Sequence, residues 1–140
     1  DMYVIINDHW DGSWWGMFGS SEQSDVDKAF EMYKSMWTQI ANRYKKYSDR
    51  LIFEGANEEL GDRLNDTDVC KNSGSLSKAE CYEMANKINQ TFVDTVRATG
   101  GNNEQRFLLI AGYNTDITMT IALCVQLFLP LRKFHRDAFP

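Results

Sequence analysis

The chain has 140 residues, 43% of them hydrophobic and 25% charged, with a formal net charge of -5. That length and composition fit one globular domain with a core of its own and exclude a disordered chain. Its 15 Lys and Arg are scattered among 20 Asp and Glu, so there is no basic footprint for nucleic acid and an uncharged partner is expected.

The opening DMYVIIND enters a β-rich run directly, without a basic and apolar leader, and reads as a start inside something longer. Within it, Tyr3 to Asn7 is short, β-branched and almost wholly apolar, the pattern of a strand buried on both faces. A loop rich in Gly, Ser and Trp follows. Trp10, Trp14 and Trp15 crowd into it, either to pack the loop on itself or to offer flat faces to a hydroxylated ligand. From Asp25 to about Lys46, the positions Val26, Phe30, Tyr33, Trp37, Ile40, Ala41 and Tyr44 recur at steps of three and four, which predicts a helix with one buried stripe. Ser24 is its expected N-cap.

Leu51 to Phe53 is a second buried strand, and Glu54 at its end is expected as a buried carboxylate paired with an Arg or Lys. The polar loop after it contains the glycosylation sequon Asn65-Asp66-Thr67, a weak sign of export; a second, Asn89-Gln90-Thr91, falls inside a predicted helix. That helix opens on the capping box Ser77-Lys-Ala-Glu80, keeps Cys81, Met84, Ala85, Ile88, Phe92 and Val96 on its inner side, and ends at Gly100 and Gly101. Phe107 to Ala111 is a third strand. The alternation predicts an α/β fold, βαβαβ, with parallel strands and right-handed crossovers.

The end of the chain, ITMTIALCVQLFLPLRKFHRDAFP, changes character, and residues 118–140 are set apart as a divergent apolar tail. Its apolar stretch is shorter than the roughly 18 to 20 residues of a membrane span, so no membrane association is expected. Cys70, Cys81 and Cys124 lack metal-ligand spacing, and neither a metal nor another cofactor is expected. Cys70 and Cys81 either close a small loop by a disulfide or remain two free thiols.

In each unit the loop after the strand is long and polar, whereas the return from helix to strand is short. Site-building loops are therefore expected at the carboxyl ends of the strands. No phosphate-cradling Gly-rich motif follows any strand. Parallel strands bring His9, then Asn57 and Glu58, then Tyr113, Asn114 and Asp116 to one rim. A carboxyl beside an amide, near a His and aromatic walls, suits a general acid whose pKa is raised by partial burial. The residue types alone leave Glu58 open between that role and a surface carboxylate, and His9 between a ligand contact and a structural hydrogen-bonding residue. Tyr113 is equally open.

Three stretches, YVIINDHWDGSWW, WTQIANRYKKYSDRLIFEGANEELGD and INQTFVDTVRATGGNNEQRFLLIAGYNTD, together resemble the middle of a glycoside hydrolase family 5 endoglucanase, a cellulase built on a TIM (β/α)8 barrel. The resemblance covers residues 2 to about 117. It implies that residues 1–117 are an incomplete barrel domain holding the third, fourth and fifth of eight strands. It further implies Glu58 as general acid/base, Asn57 as the hydrogen-bonding partner of the sugar 2-hydroxyl, His9 in the substrate-binding site, and Trp14 or Trp15 at a sugar subsite; Tyr113, from its place at the same rim, is counted with the substrate-binding residues. The nucleophilic Glu of the family follows the seventh strand, beyond the span of the resemblance. Two positions depart from the family pattern: Glu59 stands where Pro is common, and Trp10 where a second His is frequent.

The activity so implied is that of a secreted endo-β-1,4-glucanase acting on cellulose or β-glucan oligosaccharides by a retaining mechanism, with mannanase or xyloglucanase specificity as the neighbouring reading. A non-catalytic carbohydrate-binding or inert fragment is the alternative. Three strands of a barrel also leave open edges, from which self-association is expected.

Overall fold

A computed structural model of the chain describes residues 2–9, 14–66 and 74–124. Six main elements alternate as expected: β1 (Val4–Asn7), α1 (Gln23–Tyr44), β2 (Leu51–Glu54), α2 (Lys78–Ala98), β3 (Leu108–Leu109) and a short α3 (Ile117–Cys124). The sheet order is β1-β2-β3 and both pairings are parallel. Asn7 lies opposite Glu54, and Glu54 opposite Leu109. Because residues in register point to the same face, Ile6, Phe53 and Leu108 look toward the helices while Asn7, Glu54 and Leu109 look the other way. Among the described residues no helix is long and apolar enough to cross a membrane.

The core lies between the sheet and the helix pair. Val26, Ala29, Phe30, Tyr33, Trp37 and Ala41 of α1 are buried, as are Cys81, Ala85, Ile88, Phe92 and Val96 of α2. Trp37 is its centre, meeting Phe92 of α2 edge-on at 4.6 Å and Phe53 of β2 at 5.7 Å between ring centroids.

Local signals hold where they depend on neighbours in sequence. Ser77 accepts a hydrogen bond from the Glu80 N–H while Glu80 accepts one from the Ser77 N–H, the reciprocal pair the sequence predicts. Gly100 and Gly101, at φ 72° and 61°, turn the chain out of α2. The start of α1 differs. It begins at Gln23 after Glu22, and Ser24 lies inside the helix. Ser20 serves the entry instead, accepting from the Glu22 N–H and donating to the Asp25 carboxylate.

Two strands also differ from expectation. β3 is two residues long where five are expected. Its carbonyls at Phe107 and Leu109 receive the Phe53 and Gly55 N–H groups, and with no second neighbour among the described residues the strand persists only along that shared register. β1 is not covered on both faces: Tyr3, Val4 and Ile5 are exposed. Glu54 is half-buried on the face away from the helices, and among the described residues no Arg or Lys pairs with it. Cys81 is a buried free thiol; a bond to Cys70 concerns a residue outside those described.

At the amino-terminal edge of the sheet the packing is held by a residue the sequence pattern does not signal. Arg106 is 1% exposed. Its guanidinium donates to the carbonyls of Tyr44, Tyr47, Ser48 and Leu51, its Nε–H to Asn103 Oδ1, and its plane lies 4.8 Å from the Phe53 ring. Asn103, also buried, donates to the Ala41 carbonyl and the Thr99 hydroxyl. One cation thus ties the return from α1 to β2 to the return from α2 to β3.

Candidate active site at the carboxyl ends of the strands

His9 follows Asn7 by two residues, and Asn57 and Glu58 follow Glu54 by three and four. Since Asn7 and Glu54 are opposite each other in a parallel pair, all three leave the sheet at the same edge. The turn after β2 begins with Gly55, where a Cβ would lie 2.7 Å from the Phe92 ring; only glycine lets α2 approach this closely.

Beyond Gly55 the two neighbouring carboxylates part. Glu58 is exposed, whereas Glu59 is 3% exposed and accepts the Asn57 N–H at 2.8 Å. The residue standing at the family's common proline position therefore turns inward and clasps the backbone of Asn57. Asn57 itself is half-buried. The partial burial expected of Glu58 is not provided by these elements, because among the described residues nothing covers it.

The end of β1 repeats the division. Asp8 is 7% exposed and His9 is exposed, its Nδ1 3.4 Å from the Asn7 amide nitrogen. Behind the rim Tyr33 donates its hydroxyl to the Gly55 carbonyl at 2.8 Å. Burial pushes that phenol well above its ordinary pKa, and the carboxylates of Asp8 and Glu59 push the same way. A neutral Tyr33 thus remains a hydrogen-bond donor to the turn that carries Asn57 and Glu58.

The aromatic residues require a correction. Trp14 and Trp15 are 8% and 3% exposed, stacked at 5.0 Å, with Phe18 and Tyr33 against them. Rings so covered have no free face for a sugar and serve to pack the loop onto α1. Trp10 lies outside the described residues. Tyr113 is likewise buried, its hydroxyl donated to Asp62 at 2.7 Å and its ring against Tyr82, so it supports the rim from beneath rather than lining a groove.

Asp62 and Asn114 form a pair that sequence reading does not find. The Asn114 side chain accepts the Asp62 N–H at 3.0 Å and donates to the Asp62 carboxylate at 2.8 Å, while the Asn114 N–H donates to the Leu60 carbonyl at 2.6 Å. Hydrogen bonds from Asn114 and then Tyr113 hold the Asp62 carboxyl below its usual pKa. Nothing in the run LGD, nor in YNTD, distinguishes this pair from ordinary loop residues.

The Asn of each sequon has structural partners. Asn65 pairs with both the N–H and the carbonyl of Leu76, and Asn89 donates to the Ala111 carbonyl.

A rim with an outward carboxylate, a neighbouring amide and a histidine on the adjacent strand can donate a proton and hydrogen bonds to a hydroxylated ligand. The family model Cellulase (glycosyl hydrolase family 5) matches residues 1–130. The chain is 41% identical over 121 residues to a xyloglucan-specific endo-beta-1,4-glucanase of Bacteroides ovatus, covering 86% of this chain and 22% of that protein. It is 37% identical to Endoglucanase A of Paenibacillus barcinonensis, covering 99% of this chain and 32% of the relative. Among solved structures, the Bacteroides ovatus GH5 xyloglucanase in complex with a XXXG heptasaccharide superposes with a TM-score of 0.67 at 40% identity, over 86% of this chain and 24% of that one. The chain therefore spans between about a fifth and a third of the length of these relatives. Its parallel strands and helices are an incomplete part of a TIM barrel.

Proposed function

We propose, from the premise that this chain belongs to glycosyl hydrolase family 5, that it contributes the acid/base side of the cleft of an endo-acting β-1,4-glucanase. The observation that carries this reading is the outward Glu58 beside Asn57, on the same sheet edge as His9, with Glu59 turned inward to fix the turn.

Breaking an acetal requires a proton for the departing oxygen and a carboxylate on the opposite face of the ring. In a retaining enzyme the two carboxyl groups stand roughly 5 to 5.5 Å apart. Glu58 fits the first role: it protonates the leaving oxygen, and as a carboxylate it then takes a proton from the water that releases the sugar. Asn57 offers a hydrogen bond to the 2-hydroxyl, and His9 a polar contact at the neighbouring strand. The second carboxylate belongs to the later part of the barrel, so the reading concerns the full-length gene product. Cellulose and soluble β-glucans are the substrates proposed, in an extracellular setting. The 41% identity to a xyloglucan-specific relative supports a branched glucan as the second reading. Exposed Tyr3, Val4 and Ile5 along β1 support self-association of the isolated chain.

Glu58→Gln in the full-length gene product is expected to lower the hydrolysis of soluble β-glucan by about 10²- to 10⁴-fold, measured as reducing sugar released by a protein with unchanged circular dichroism. Unchanged turnover would remove Glu58 from the mechanism.

A further inference from the structure

We infer that Asp62 and Asn114, with Tyr113 beneath them, form a clamp between the loops after β2 and β3 that positions Glu58 for proton transfer; the inference rests on the function proposed above. Asp62 lies four residues beyond Glu58 on the same loop, and Asn114 lies at the end of the neighbouring strand's connection. Four hydrogen bonds join them: Asp62 N–H to Asn114 Oδ1, Asn114 Nδ2–H to Asp62 Oδ2, Tyr113 O–H to Asp62 Oδ1 and Asn114 N–H to the Leu60 carbonyl.

The backbone is bent to make this arrangement. Asn114 and Thr115 hold φ of 51° and 52°, a region non-glycine residues rarely enter, and Gly61 holds φ of 140°. A Cβ on Gly61 would collide with the Asn114 side-chain oxygen. Such strain persists only where surrounding contacts over-determine it, and here those contacts are the bonds between the two loops. Leu60, fully buried, anchors the loop between Glu58 and the clamp. The segment carrying Glu58 is thus pinned on both sides, by Glu59 on the Asn57 N–H and by Asn114 on Leu60 and Asp62. Neither Asp62 nor Asn114 is assigned contact with substrate; both act through the position of Glu58.

Leaving-group dependence separates this role from general support of the fold. A cello-oligosaccharide leaves as an alkoxide and needs the proton. From a 2,4-dinitrophenyl cellobioside the departing group is a stable phenolate, which does not. In the full-length gene product, Glu58→Gln should collapse kcat/KM on the first and spare the second. Asn114→Ala should follow the same pattern more weakly, losing roughly ten- to hundredfold on the oligosaccharide with the aryl glycoside nearly unchanged. Gly61→Ala, which expels the Asn114 side chain, should reproduce it.

If Asn114→Ala does not fold, the exchange decides the matter. Asn114→Asp alone sets two carboxylates against each other and should be defective. Combined with Asp62→Asn it restores an amide donor facing a carboxylate and should recover the oligosaccharide activity. Equal losses on both substrates, no loss on either, or an exchange that fails to recover activity would overturn the clamp while Glu58→Gln keeps its selectivity. A Glu58→Gln variant without leaving-group dependence would instead overturn the function on which the clamp rests.

Discussion

The two edges of the sheet are held by opposite means. At the amino-terminal edge one buried cation, Arg106, satisfies five acceptors, four backbone carbonyls and the side-chain oxygen of Asn103. At the carboxyl-terminal edge the bonds are made by side chains at or near the surface, Asp62 with Asn114 between two loops and Ser77 with Glu80 within the first turn of α2, and the nearby Glu58 faces solvent. The first arrangement stabilises because its polar groups are removed from water and fully paired. The second is individually weak and adjustable, which suits a rim where a reacting carboxyl must be aimed.

The largest test of that contrast is Arg106→Met. Several buried carbonyls lose their donor together, and the full-length gene product should lose roughly 3 kcal/mol or more in urea unfolding. The kcat/KM per folded molecule should stay unchanged. A loss of activity without loss of stability would mean the lower edge is not simply structural. At the opposite edge Ser77→Ala removes the cap of α2 and should cost only about 1 kcal/mol by the same measurement. A cost equal to that of Arg106→Met would erase the distinction between the edges.

The smallest effect is one of pH. Hydrogen bonds hold Asp62 and Glu80 below their ordinary values of 3.8 and 4.5. As pH falls, the unfolded chain takes up these protons first, so the stabilisation is present above the ordinary values and is lost as pH drops through the depressed ones. Amide protection factors, the exchange rates corrected for their intrinsic pH dependence, should therefore fall on acidification in residues 60–64, 77–81 and 113–116 before they do so around Arg106. Asp62→Asn should reduce the effect in the first and third of these segments. Simultaneous loss of protection at both edges would argue against separate anchoring.

What was legible in the sequence is what short-range periodicity and local chemistry decide. The stripe from Val26 to Tyr44 specifies α1 because positions three and four apart share a helix face. Ser77 and Glu80 specify the start of α2 because their bonds close within one turn, and the alternation of strand and helix implies parallel pairing. That pairing alone puts His9, Asn57 and Glu58 on a common edge.

Aromatic composition, by contrast, does not tell a core ring from a sugar platform. Trp14 and Trp15 are buried because Phe18 and Tyr33 close over them, which depends on how their loop meets α1. Likewise the adjacent Glu58 and Glu59 are identical as residues and opposite in orientation, a difference made by the Asn57 N–H. Arg106 lies 55 to 62 residues from the carbonyls it holds, and Asp62 lies 51 and 52 from Tyr113 and Asn114. The sequence by itself determined the order of elements and the edge where chemistry gathers, because those follow from bonds and faces within a few residues. Only the tertiary structure decided which carboxylate faces out, which rings are covered and what holds each edge, because those depend on groups that meet after the chain has returned across the sheet.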